Sequence, residues 1–437
     1  MQILVFVDAI SNRLQYIFSH ILGEMLGFEV VFTQRNGDFD HFIGPKIAYS
    51  STKFHNSISI VPHSLLFQEG ISNQSVVISN WNSTPIFFET DKNADIPFDL
   101  FSAAFFLISR YEEYLPFDKD LHGRFQSANS ITYRYGFLDI PVVDIWVNRL
   151  AEIIKHRFPG VAIKDKGFSF IPTIDIDNAY AYKHKGIMRS LLGTANSLAH
   201  LRFSDLFRRI GVLCNFMPDP FDTYAKLFEQ FENTPQALWF ILCGVNGKFD
   251  RNISLTAKPM QRLLKQIAKR FEVGIHPSYA SGISKVHVRS ELKSLSQVVG
   301  KTITASRQHY LRITLPETYR LLSELGLTHD YSMGYSDKIG FRAGTCTSFR
   351  FYDLMDEKVL PLTIVPFQVM DRALLYGLQL NPDEAIDKTL EMANSIKQVG
   401  GKFVTVWHNE SLSGLNEWVG WKDVFGEIVK KINKFKL

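Results

Sequence analysis

The chain is poor in cysteine. Cys214, Cys243 and Cys346 are an odd number, widely spaced, and form no C-x-x-C pair. That excludes the usual thiolate zinc and redox motifs and points to a reducing compartment. Long hydrophobic runs are missing as well: the longest, around LFSAAFFLIS, falls far short of the roughly 20 residues a membrane span needs. No cationic leader precedes the apolar run in MQILVFVDAISNRL, and Asp8 interrupts it. It therefore reads as a first strand rather than a signal peptide. Nor is there an excess of one charge: 48 basic and 44 acidic residues leave +4 over 437 residues, no signature for nucleic acid or an anionic membrane. The expectation is a soluble, cytoplasmic protein with no nucleic-acid partner and no membrane span.

What is present is ample core material. A hydrophobic content of 46% with 13% aromatics over this length supports two packed domains. A strand at residues 3–7 is followed by Leu14, Ile17, Phe18, Ile21, Leu22 and Met25 at helical spacing, with Gly27 to end the helix. Short strand-like pieces follow (KIAYS, ISIVP, SVVIS, PIFFE), then helices over 98–113 and 143–157. SRYEEY reads as an amphipathic helix end with solvated charges. Pro159, Gly160 and Gly167 mark a boundary, giving an amino-terminal α/β domain over 1–160.

Beyond it the text becomes rhythmic. FSFIPTID, ALWFILCG, FEVGIH, TITASRQ, LTHDYS, LTIVPF and KFVTVWH are strand-like, and helical patterns over 259–270, 285–299, 316–325, 382–398 and 422–431 separate most of them. Repeated βα units imply parallel strands, and seven of them predict an incomplete, seven-stranded β/α barrel over 168–437.

Reactive side chains gather at the carboxyl ends of these strands. In FSFIPTIDID, Asp175 and Asp177 are two residues apart, so an extended chain points both to one face. Two such charges coexist only with a proton, an arginine or a metal cation between them. His276, Arg307, His309, Asp330 and His408 share the same strand-end position, the face on which barrel enzymes build their sites. The bland readings differ by residue. Asp-x-Asp also occurs in surface turns and in glycosyltransferase metal motifs, His276 before Pro277 suits a hydrogen-bonded loop, and Arg307 suits a plain salt bridge.

In order and context these motifs resemble the polysaccharide deacetylase family, the NodB-homology carbohydrate esterases, over residues 168–437. TIDID resembles the family's first motif, ALWFILCG its ATFFxLG strand, EVGIHPSY its EIGxH segment, SRQHYL its R-x-P-Y motif, and VTVWHN its late histidine strand. SRYEEYLPFDKDLHGRF is similar to an amino-terminal domain of bacterial members. Two departures stand out. The family's second histidine ligand lies four residues after the first, where this chain has Ala280, and His309 occupies the proline place of R-x-P-Y.

The resemblance implies removal of acetyl groups from an amino sugar or polysaccharide. Asp177, His276 and, by substitution, His309 would hold a divalent metal such as zinc, leaving a catalytic vacancy. Asp175 would be the general base with Arg307 as its counter-charge, and His408 the acid, oriented by Asp330 or Asp371. Tyr310, Arg342, Trp407, Asp330 and Asp371 are the expected substrate-side residues. The segment 334–354 reads as a glycan subsite or a structured rim loop, and the helical insertion over 185–232 as a lid or a pack against the first domain. Two competing readings are a metal-independent C–N hydrolase on the same barrel and a silent barrel that binds a glycan or a partner.

Overall fold

The computed structural model describes residues 1–436 apart from 233, 235, 245, 246 and 283. Near the amino terminus, β1 (Gln2–Val7), β2 (Glu29–Thr33), β3 (Lys46–Tyr49) and β4 (Ile58–Ile60) form a parallel sheet in the order β2-β1-β3-β4. The side chains of β1 are buried on both faces from Ile3 to Val7, which is why it reads as a continuous apolar run rather than an alternation. Ser11 caps α1 (Asn12–Phe18) through its hydroxyl, which accepts from the Leu14 amide at 3.0 Å. A π-helical turn over Ser19–Met25 prolongs it to Gly27, whose φ of +86° ends the run.

A later helix, α2 (Leu100–Ile108), is apolar except for Ser102 and wholly buried. It stops short of the predicted end because Arg110 turns left-handed at φ 57°. That turn overturns the solvated reading of SRYEEY: Arg110, Glu112 and Glu113 are buried. Glu113 accepts from Arg110 Nε at 2.7 Å and from Arg342 Nη2 at 2.6 Å, while Glu112 takes Arg110 Nη2 at 2.9 Å. A second tie comes from α3 (Val142–Arg157), whose Asp144 accepts from the hydroxyls of Thr345 and Thr347 at 2.8 and 2.6 Å. One apolar cluster accordingly runs through both halves, from Ile3 and Trp146 to Trp239 and Ile432.

The second sheet has nine strands. They are β5 (Ser169–Ile176), β6 (Leu238–Leu242), β7 (Glu272–His276), β8 (Ala305–Ser306), β9 (His329–Asp330), β10 (Phe349–Asp353), β11 (Lys358–Ile364), β12 (Val369–Met370) and β13 (Lys402–His408), in the order β10-β11-β9-β8-β7-β6-β5-β13-β12. All neighbours are parallel except β10 and β11. The seven strand-like segments of the sequence are all there; β10 and β12 are additional. β12 is only two residues long, too short for a periodicity to register. Between β5 and β6 lie α4 (Ile187–Ala199) and α5 (Phe203–Leu213), and the later crossovers include helices at Lys258–Arg270, Lys285–Val299, Glu317–Glu324 and Pro382–Val399. The last of these carries a capping box between Asn381 and Glu384. No helix among the described residues is long and apolar enough to cross a membrane.

Candidate metal centre and active site

Parallel register brings the reactive residues together. His408 pairs with Asp175, Leu242 with His276, Ile275 with Ser306, and Ser306 with Asp330, so the strands finish at one end of the sheet. Asp177, Arg307, His309 and Asp371 follow within a few residues of those ends. The period of two then sorts the faces. Thr173 and Asp175 both meet Arg307 Nη1, at 2.6 and 2.7 Å, and His408 points the same way. Trp407, one residue earlier, points oppositely and packs on Phe425 with ring centroids 5.1 Å apart.

Asp177 is the centre of the cluster. His276 Nε2 lies 3.3 Å from its Oδ1, and His309 Nε2 and His408 Nε2 lie 3.5 and 3.7 Å from its Oδ2. The buried Oδ1 has no hydrogen-bond partner. Each histidine is oriented by an acceptor at its other nitrogen: His276 Nδ1 donates to the Arg307 carbonyl at 2.5 Å, His309 Nδ1 to Asp250 at 2.9 Å, and His408 Nδ1 to Asp371 at 2.9 Å. With Nδ1 committed, Nε2 is the nitrogen that faces Asp177. Candidate ligand atoms of Asp177, His276 and His309 all lie within 4.8 Å of one another. Two imidazoles and a carboxylate, one of whose oxygens is buried and unpartnered, fit a divalent cation such as zinc.

The electrostatics agree with that fit. Burial alone would raise the Asp177 carboxyl, but His309, His276 and His408 hold it well below the usual range. Burial would lower His309, yet Asp177 and Asp250 lift it to about 9; His408 likewise reaches about 9 because Asp371 and Asp177 outweigh its burial. A field that draws a proton onto an imidazole draws a metal cation too.

Asp175 is held separately. Its Oδ1 accepts from Arg307 Nη1, and its Oδ2 faces the cluster 3.9 Å from His276 Nε2. The fully buried Arg307 guanidinium also donates to the Tyr331 carbonyl at 3.0 Å and stacks 4.4 Å from the Phe240 ring centroid.

A cavity of about 240 Å³ opens over this cluster, lined by Asp175, Asp177, His276, His309, Tyr310 and His408 among others. Of the residues expected on the substrate side, Tyr310 lines it, and Asp371 orients His408 from behind, its Oδ2 also accepting from Ser411 at 2.6 Å. The other three lie elsewhere. Asp330 is wholly buried and takes its hydrogen bonds from Ser306 and Ser332. Arg342 is consumed by Glu113. Trp407 is core, because its position in β13 turns it to the opposite face.

Sequence reasoning missed several groups. Asp250, in the loop after β6, orients His309 and is itself held by the amides of Tyr279 at 2.8 Å and Ala280 at 3.4 Å. The residue that replaces the expected histidine thus supports the carboxylate behind its substitute. His122 and Arg124, from the amino-terminal half, line the cavity, and Arg124 Nη1 donates to the Tyr310 carbonyl at 2.8 Å. His122 joins Phe249, Tyr279 and Tyr310 in an aromatic wall. Arg372 reaches the cavity as well, paired with Glu410.

Comparison with known proteins gives three findings. Residues 3–159 match a family of unknown function, DUF7033. No curated protein matches the sequence. Among solved structures the chain is similar to a candidate polysaccharide deacetylase from Mycobacterium smegmatis (17% identity over 62% of this chain and 86% of that one, TM-score 0.40). It is also similar to a Puue allantoinase (11% identity, 61% and 84%, TM-score 0.37) and a CE4 family pseudoenzyme from Bacillus anthracis (10% identity, 62% of each, TM-score 0.32). The functional reading therefore rests on the geometry of the pocket itself.

Proposed function

We propose that the pocket is a metal-dependent hydrolytic site that removes acetyl groups from an amino sugar or glycan. In this reading it is carried by an incomplete β/α barrel over 168–437, with an amino-terminal α/β domain over 1–160 contributing part of the rim. The observation that carries it is the Asp177–His276–His309 cluster, with both imidazoles locked at Nδ1, beside one arginine-held and one aspartate-held proton carrier.

A divalent cation held by Asp177, His276 and His309 would supply Lewis-acid polarisation of the substrate carbonyl and acidify an attacking water. Asp175 keeps Oδ1 on Arg307 and offers Oδ2 to the cluster, the geometry of a general base that takes the water's proton. Arg307 fixes the direction of that carboxylate. His408, whose Nδ1 is backed by Asp371, would present Nε2 as the proton donor to the departing sugar nitrogen or oxygen. The aromatic wall around Tyr310 offers flat apolar surface for a sugar ring.

The test is elemental analysis of purified protein beside Asp177→Ala after dialysis against metal-free buffer. Wild type should retain about one divalent cation per chain, as a three-ligand site does, and the variant should lose it. If neither carries metal and added zinc shows no Asp177-dependent binding, the metal-dependent mechanism fails.

A further inference from the structure

Half of the exposed large apolar side chains among the described residues fall in one short stretch: twelve of twenty-four lie between positions 187 and 217. Most belong to α4 and α5, which pack on each other as a hairpin. On α4, Ile187, Met188, Leu191, Leu192 and Leu198 fall on one side of the wheel and are all exposed, Ile187 at 82%. The opposite side carries Gly193 and the buried Ser197. On α5, Phe203, Phe207 and Ile210 repeat the pattern, Phe207 being 74% exposed, while Gly211 turns inward. A helix on a water-soluble surface does the reverse, burying its apolar stripe.

The inward side is nevertheless satisfied. Asp205 accepts from the hydroxyls of Tyr182 and Ser197 and lies 3.6 Å from Arg209, whose guanidinium sits 4.8 Å from the Tyr182 ring centroid. The hairpin is thus held together by polar contacts at its back, with its apolar stripes outward. Charge is concentrated with it. Residues 183–217 contain six lysines and arginines against the single acid Asp205, a net +5, when the whole chain carries +4. Its root is fixed a few residues beyond Asp177: Asp219 accepts from the amides of Ala181, Tyr182 and Lys183 at 2.8 to 2.9 Å and of Phe221 at 3.0 Å.

We infer that this hairpin docks the protein on the surface of an anionic lipid bilayer, with the apolar stripes in the headgroup boundary and the outward basic residues, the exposed Arg202 foremost, against lipid phosphates. Outward apolar stripes with a basic surround are the pattern of interfacial helices, and cations near an anionic surface add to binding. A second copy would also cover the apolar face, but a self-paired contact sets +5 against +5. The bilayer supplies the opposite charge. This docking goes beyond the hydrolase reading and does not depend on it.

The experiment is flotation of the full chain with vesicles of phosphatidylcholine alone and of phosphatidylcholine mixed with phosphatidylglycerol. The protein should float with the mixed vesicles, bind the neutral ones more weakly, and release as salt rises. Leu191→Glu combined with Phe207→Glu should cut the bound fraction more than about tenfold while the circular dichroism spectrum and melting temperature stay those of wild type. Arg202→Glu, at an exposed position, should weaken binding to the mixed vesicles only. Absence of flotation with either vesicle, or equal flotation of wild type and the double variant, overturns the inference. So does a wild-type dimer in light scattering that the double variant converts to monomer without any vesicle binding: the face then belongs to a second copy.

Discussion

Asp175→Asn should lower kcat for acetate release from N-acetylglucosamine oligomers by about 10²- to 10⁴-fold, the usual worth of a positioned proton acceptor, with KM little changed. Asparagine keeps the size of the side chain and can still accept from Arg307 Nη1, so the 2.7 Å contact that fixes the geometry survives. What disappears is the basic oxygen that faces the Asp177 cluster. Metal content should therefore stay at the wild-type level, which separates this variant from Asp177→Ala. His408→Ala should give a loss of similar size through the other end of the reaction. It removes the imidazole that Asp371 holds from behind, the proposed proton donor, and the loss should shrink for a substrate with a better leaving group such as p-nitrophenyl acetate. Wild-type turnover retained in both variants would remove Asp175 and His408 from the mechanism. A metal-free protein whose turnover still depends on Asp175 would instead favour C–N hydrolysis without a cation.

The longer strands of the sheet, such as β5, β6, β7 and β13, were legible because they are apolar runs that end at or near ionisable residues. FSFIPTIDID shows both its strand and its reactive end, and a side-chain period of two puts Asp175 and Asp177 on one face without further information. The same period, applied to KFVTVWH, also separates Trp407 from His408; the substrate role given to Trp407 overlooked it. Asp250 was not legible. It stands eight residues beyond the end of β6, in a loop where nothing in NGKFD distinguishes a carboxylate behind a histidine from a solvated turn. Arg342 and Glu113 illustrate the opposite error. Local pattern reads Glu113 as a solvated charge and Arg342 as a glycan contact, whereas they meet each other across the chain. The hairpin at 187–217 was hidden by averaging, because a whole-chain charge of +4 dilutes a local excess, and periodicity reports that a helix has an apolar face without reporting which way it points.

Glu113→Ala should destabilise the protein by about 3–5 kcal/mol, the cost of leaving buried charge uncompensated, and this is the largest stability effect expected outside the apolar core. Its carboxylate is the shared acceptor of two buried arginines: Arg110 donates through Nε to Oε1, and Arg342 through Nε and Nη2 to Oε1 and Oε2. Burial alone would raise this carboxyl, but Arg342 and Arg110 hold it below the usual range. A carboxylate whose folded pKa lies below its unfolded value of about 4.3 contributes fully above that value and loses its contribution as pH falls through the folded pKa. The deficit of the variant should therefore be full at neutral pH and narrow in acid. Urea unfolding at neutral and acid pH measures both. Arg342→Met in the Glu113→Ala background should recover part of the loss, because a buried cation is better replaced by a methionine of similar length than left unpaired. A midpoint within experimental error of wild type at neutral pH would mean that the triad is spectator packing. A destabilised variant that keeps its kcat but loses affinity for glycan would show the consequence for function: the staple fixes the segment that follows it, and that segment delivers His122 and Arg124 to the cavity.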